Sequence, residues 1–243
     1  MKQFRFLFMS LLAVMSFFLT SCGDDETTTS DQANGDTTVV TATPTESVAP
    51  AAMSTTMLIV RHKVKNFSKW KTSYDAHDSS RLAQGIHSFV IGRGVEDPNM
   101  LLVVTKVDDI EKAKAFGKSA DLKKAMEAGG VTGTPKVLLA NVPFLTAAAS
   151  SDLRSMSFMT VKDWDTWKTN FETNKQSRID NGFEDRAYGH DVDDNHKVVY
   201  TAAVTDSAKV RAYQKSPELK QLLQTSGVEG TPERFWYRVV QTY

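Results

Sequence analysis

Five histidines, His62, His77, His87, His190 and His196, are the side chains able to exchange a proton near neutral pH. His62 lies in the segment Val60-Arg61-His62-Lys63-Val64. Strand alternation there puts Val60, His62 and Val64 on one face and Ile59, Arg61 and Lys63 on the other. Either face can turn towards an enclosed space, so His62 as a general base and Arg61 as a ligand-binding side chain stand as competing candidates. His190-Asp191-Val192-Asp193-Asp194-Asn195-His196 gathers imidazoles and carboxylates but lacks the glycine and distal glutamate of a calcium loop. It reads as a solvated hairpin turn, and no metal site is expected. Arg81 and Arg178 suit helix ends or carboxylate partners. No Ser/His/Asp motif and no phosphate-cradling glycine loop follows a strand. With 29 basic and 29 acidic residues the chain is formally neutral, which argues against nucleic acid as a partner. A single cysteine, Cys22, excludes a disulfide framework and a thiolate zinc cluster.

The elements that must position these residues follow from an internal repeat. At an offset of 97, residues 64–135 match 161–232 without a gap, with roughly 24 identities. Each copy predicts the same order. A strand over 57–64 leads to a helix capped by Asn66 (Asp163 in the second copy) that carries Phe67, Trp70 and Tyr74, or Trp164, Trp167 and Phe171. That helix is expected to stop at Gly85 or Gly182. Two strands, 86–92 and 100–107 in the first copy, form a hairpin through Glu96-Asp97-Pro98-Asn99. A second helix, capped by Asp109 or Asp206, breaks and restarts at Ser119 or Ser216. Strands over 137–142 and 235–240 close the two copies. This is α+β: two ferredoxin-like βαββαβ repeats, over 57–148 and 155–243. Each sheet would carry helices on one face, so the bare faces, with Met100, Leu102, Val104 and Val199, are expected to meet in an intramolecular pseudo-dimeric barrel. A monomer is expected.

In the second copy Tyr188, Tyr200, Trp236 and Tyr237 stand where the first has Ile91, Val103, Leu139 and Ala140. That divergence can build one asymmetric pocket or simply repack the core. Arg61, His87, Tyr188, Tyr200 and Trp236 are therefore the ligand-binding candidates, beside His62 as the catalytic one.

Ahead of the repeats, Lys2 and Arg5 precede an apolar run over 6–19 that ends in Leu19-Thr20-Ser21-Cys22. The pattern is that of a signal peptide over 1–21. Its last four residues resemble the lipobox of bacterial lipoproteins, which implies that the Cys22 thiol is lipidated and anchors the chain in a membrane. Gly23-Asp24-Asp25-Glu26 resembles the export signal of some surface lipoproteins of the Bacteroidetes. The expected location is the outer membrane, facing the periplasm or the cell surface. Residues 22–56, poor in aromatic and large aliphatic side chains, are expected to form the acylated cysteine and a disordered tether.

Over residues 57–243 the chain resembles the dimeric α+β barrel superfamily with its antibiotic-biosynthesis-monooxygenase-like domains. The carriers are the Val60–Val64 strand with Phe67 and Trp70, Asp97-Pro98-Asn99, and the Gly-Val-x-Gly-Thr-Pro loop at 130–135 and 227–232. That superfamily includes cofactor-free oxygenases, haem-degrading enzymes, haem peroxidases, isomerases and proteins with no known chemistry, and the fold alone does not choose between them. No histidine falls in an evident axial-ligand motif, so a barrel that binds a small apolar molecule without a cofactor is expected. Any catalysis would be cofactor-independent oxygenation or isomerisation. The alternative is a non-catalytic envelope lipoprotein that binds a protein partner or serves a structural role.

Overall fold

The structure, a computed structural model, describes residues 54–146 and 149–243. The expected leader, Cys22 and nearly all of the tether lie outside the described residues.

The first repeat runs β1 (Thr55–Val64), α1 (Phe67–Ala76), α2 (Asp78–Leu82), β2 (Ile86–Gly94), β3 (Met100–Val107), α3 (Ile110–Gly117), α4 (Ala120–Ala128) and β4 (Val131–Leu145). The second runs β5 (Leu153–Val161), α5 (Trp164–Thr173), α6 (Lys175–Asp180), β6 (Phe183–Asp191), β7 (Lys197–Val204), α7 (Ser207–Tyr213), α8 (Pro217–Thr225) and β8 (Val228–Thr242). The caps act as their side chains predict. Asn66 accepts the Lys69 amide at 2.9 Å and Asp163 the Thr166 amide at 2.8 Å, while Ser119 and Ser216 start α4 and α8.

The first helix of each repeat does not run unbroken to its glycine. It breaks at His77 and at Asn174, whose ψ angles of 11° and 21° leave the helical range. A buried arginine stabilises each break by taking a carbonyl that the helix no longer pairs well. Arg81 donates to the Tyr74 carbonyl at 2.6 Å, and Arg178 to that of Phe171 at 2.5 Å.

The sheets have the orders β4-β1-β3-β2 and β8-β5-β7-β6, and β2–β8 and β4–β6 pairing joins them into a closed eight-stranded barrel. The last strand of each repeat is far longer than expected because the glycine-proline segment continues as strand. Gly133 and Gly230, at φ 69° and 66°, open bulges in which residues 133–135 face His62 alone and 230–232 face Met159 alone. Beyond the bulge β4 and β8 pair with their own sheet and then reach the other repeat.

Two kinds of core result. Outside the barrel, helices cover one face of each sheet, over Trp70, Ile91 and Leu101 in the first repeat and Trp167, Val198 and Val210 in the second. Inside, Met57, Ile59, Leu102 and Val104 meet Met156, Val199 and Tyr237. The fold is the pseudo-dimeric α+β duplication that the alternation of Leu102, Val104 and Val199 predicts.

Candidate functional site

Side-chain direction on β1 decides between the two candidates of the first strand. Ile59 packs inside the barrel, Arg61 lines its lower mouth, and His62 turns to the helices. The Arg61 guanidinium sits between the rings of Phe158 and Phe235, 5.4 and 5.2 Å from their centroids, and is paired with Glu233, which also holds Lys136 at 3.1 Å. Arg61, Lys136, Phe158 and Glu233 line a cavity of about 360 Å³ at this end of the barrel. The middle is filled by Leu102, Ala140 and Met156.

The other end is hollow too. A cavity of about 420 Å³ has apolar walls that include Met57, Phe89, Val104, Met156 and Val199. Polar side chains also line it, among them Arg154, Arg186, Thr201 and Tyr237. Register places them: Arg154 on β5 lies opposite Tyr237 on β8, and Thr201 on β7 opposite Met156 and Ala187. Alternation in β6 turns Asp185 to the helices and its neighbour Arg186 into the barrel, and the bulge between Asp185 and Ala187 lets Arg186 and Ala187 both line the cavity. Burial holds the pKa of Arg154 below the ordinary arginine value, and does the same for Arg186, which the positive charge of Arg154 lowers further. Burial pushes the Tyr237 hydroxyl up.

Tyr188, Tyr200 and Trp236 come together elsewhere, in the helix-covered core of the second repeat. Tyr188 and Tyr200 are register partners on β6 and β7 and both pack edge-on against Phe171. The Tyr200 hydroxyl donates to Asp185 at 2.6 Å, and Asp185 receives Arg178 through Nε at 2.9 Å and Nη2 at 2.6 Å. Burial, then the charge of Asp185, raises the Tyr200 pKa well above its ordinary value. Tyr188 donates to Glu172, and Trp236 carries the Arg211 guanidinium 4.3 Å from its ring centroid. The cavity beside Tyr200 is only about 80 Å³. Of these three aromatics, only Tyr188 also touches the barrel-end cavity.

The histidines are scattered. His62 is 7% exposed, lies 5.6 Å from Trp70 ring to ring, and burial lowers its pKa to about 4. His87 pairs with Asp108 at 2.7 Å on the surface. His196 binds Asp194 in the β6–β7 turn, and no group of three metal-ligating side chains occurs among the described residues. Sequence reasoning passed over Arg154, Arg186 and Thr201. The offset of 97 holds the signal, because their counterparts are Met57, Phe89 and Val104.

No protein-family profile matches the chain, and no curated protein matches it in sequence. Solved structures do match in fold. An anthrone oxidase-like protein shares 14% identity at a TM-score of 0.53, over 78% of this chain and 92% of its own. A candidate monooxygenase of Fusobacterium nucleatum shares 12% at 0.52, over 77% and 93%. A haem-binding protein of Thermus thermophilus shares 10% at 0.50, over 78% and 92%. At these identities the likeness is one of fold. Among the described residues the lining of the barrel-end cavity holds no imidazole or thiolate.

Proposed function

We propose that this chain is a membrane-anchored lipoprotein whose monooxygenase-like α+β barrel binds a small, largely apolar molecule. The observation that carries the binding reading is the barrel-end cavity of about 420 Å³. It falls within the roughly 300–1,000 Å³ of small-molecule sites, with mostly apolar walls and a few convergent polar groups. Among the described residues its lining includes no histidine, cysteine or carboxylate able to act as base or nucleophile, which favours a binding protein over an enzyme. His62, the sequence candidate for a base, faces the helices.

The anchoring reading rests on Lys2, Arg5, the apolar run over 6–19 and the lipobox-like Leu19-Thr20-Ser21-Cys22. Among the described residues no helix is long and apolar enough to cross a membrane. We assign the chain to the outer membrane, with the barrel held off the bilayer by residues 22–56. Replacing Cys22→Ala should move it from the membrane fraction to the soluble fraction; retention in the membrane would overturn lipid anchoring at Cys22.

Native mass spectrometry of the gently purified full-length chain should show a reproducible small bound species, and apolar probes such as 2-naphthol should raise its Tm. Filling the cavity with Val104→Phe should abolish both effects. An empty wild-type chain with no thermal shift would instead favour an envelope protein that binds a partner or serves a structural role.

A further inference from the structure

The cavity wall is divided between the two repeats. Arg154 and Arg186 occupy the duplicated positions of Met57 and Phe89, and all four side chains line the same cavity. Thr201 and Tyr237 likewise correspond to Val104, which lines it, and Ala140, which packs in the same core. At these four positions one repeat is wholly apolar and the other polar or cationic. A symmetric barrel end has thereby become a site with a hydrocarbon wall and a guanidinium wall.

We propose that this cavity takes an apolar carboxylate, with Arg154 binding the carboxylate group; this rests on the ligand-binding reading above. Among the described residues Arg154 makes one hydrogen bond, from Nη1 to the Leu153 carbonyl at 3.3 Å. The nearby carboxylates are engaged by other groups. Asp152 holds Arg238 at 2.9 Å, and Glu184 accepts the Ser150 backbone amide at 3.1 Å and lies 4.0 Å from Arg186. Arg186 itself donates to the Thr146 carbonyl, so it contributes charge while Arg154 contributes donors.

The chemistry follows from the two walls. A neutral apolar ligand would bury the Arg154 guanidinium further without meeting its remaining donors, and a cation would be repelled. A carboxylate satisfies a planar guanidinium with two parallel hydrogen bonds, and an aliphatic or aromatic body fills the space against Met57, Phe89 and Val104.

Calorimetric titration of the full-length chain with 2-naphthoate, 2-naphthol and 2-naphthylmethylammonium tests this. Naphthoate should bind about tenfold or more tighter than naphthol, as a charged hydrogen bond warrants, and the ammonium weakest. Arg154→Gln should bring naphthoate to within about twofold of naphthol. Equal binding of naphthoate and naphthol by the wild type, or a preference that survives Arg154→Gln, would overturn the carboxylate site and leave the apolar cavity standing. Failure of all three probes would overturn the binding reading beneath it. If melting shows Arg154→Gln unfolded, Arg154→Lys decides. Retained preference with about threefold or greater loss of naphthoate affinity supports the guanidinium contact, and unchanged affinity overturns it.

Discussion

His62 has both ring nitrogens buried without a hydrogen-bond partner among the described residues, and its counterpart in the second repeat is Met159. An unsatisfied buried polar group costs about 1–3 kcal/mol, so His62→Met should raise Tm at neutral pH. Its titration adds a pH dependence. The unfolded imidazole has a pKa near 6.5 and the folded one about 4, so between these values the unfolded chain binds more protons. Stability is therefore full above pH 6.5 and falls as pH drops towards 4, by about 3 kcal/mol from this residue. Urea melts at pH 7 and pH 4.5 should show a smaller acid loss in His62→Met than in the wild type. An equal loss would mean that His62 gains a partner or solvent in the fold. The same residue-by-residue comparison separates Arg81 from Arg178. Arg81 pairs with the half-exposed Asp78, whereas Arg178 and Asp185 are both 8% exposed and are joined to Tyr200.

At the scale of elements, closure depends on two seams where strands of different repeats meet. Gly92 on β2 and Gly189 on β6 are equivalent in the duplication, and each lies at such a seam. A Cβ on Gly189 would overlap the Asn141 backbone carbonyl of β4, and one on Gly92 would overlap the Tyr237 ring of β8. Backbone yields less than a side chain, so Gly189→Ala should cost about 3 kcal/mol or more and Gly92→Ala less, as measured by denaturant unfolding. The reverse ranking would show that the β4–β6 seam moves freely. The bulges at 133–135 and 230–232 work with these seams. They allow a single strand to serve its own sheet first and the neighbouring repeat afterwards.

Taken as a whole, the molecule buries two faces of every sheet: one beneath its helices and one inside the barrel. A half molecule comprising residues 54–146 would expose Leu102, Val104, Ala140 and Val142, which the second repeat covers in the intact chain. It should therefore run as a dimer or larger assembly in size-exclusion chromatography, while residues 54–243 run as a monomer. A stable monomeric half would show that barrel closure contributes little to folding.

The element order was legible in the sequence because it rests on local signals. Asn66, Asp163, Ser119 and Ser216 cap helices through hydrogen bonds to their own amides, and the offset of 97 exposes the duplication without any spatial information. What alternation left undecided was direction. Period two assigns residues to opposite faces, but here both faces are buried, so neither His62 nor Arg61 is marked by polarity as inward. The cavity lay further out of reach. Arg154, Arg186, Thr201 and Tyr237 come from four strands, and a bulge in β6 puts Arg186 and Ala187 on the same face against the alternation. Only closure of the barrel, through pairs as distant in sequence as Gly92 and Val239, brings those strands around one enclosed space.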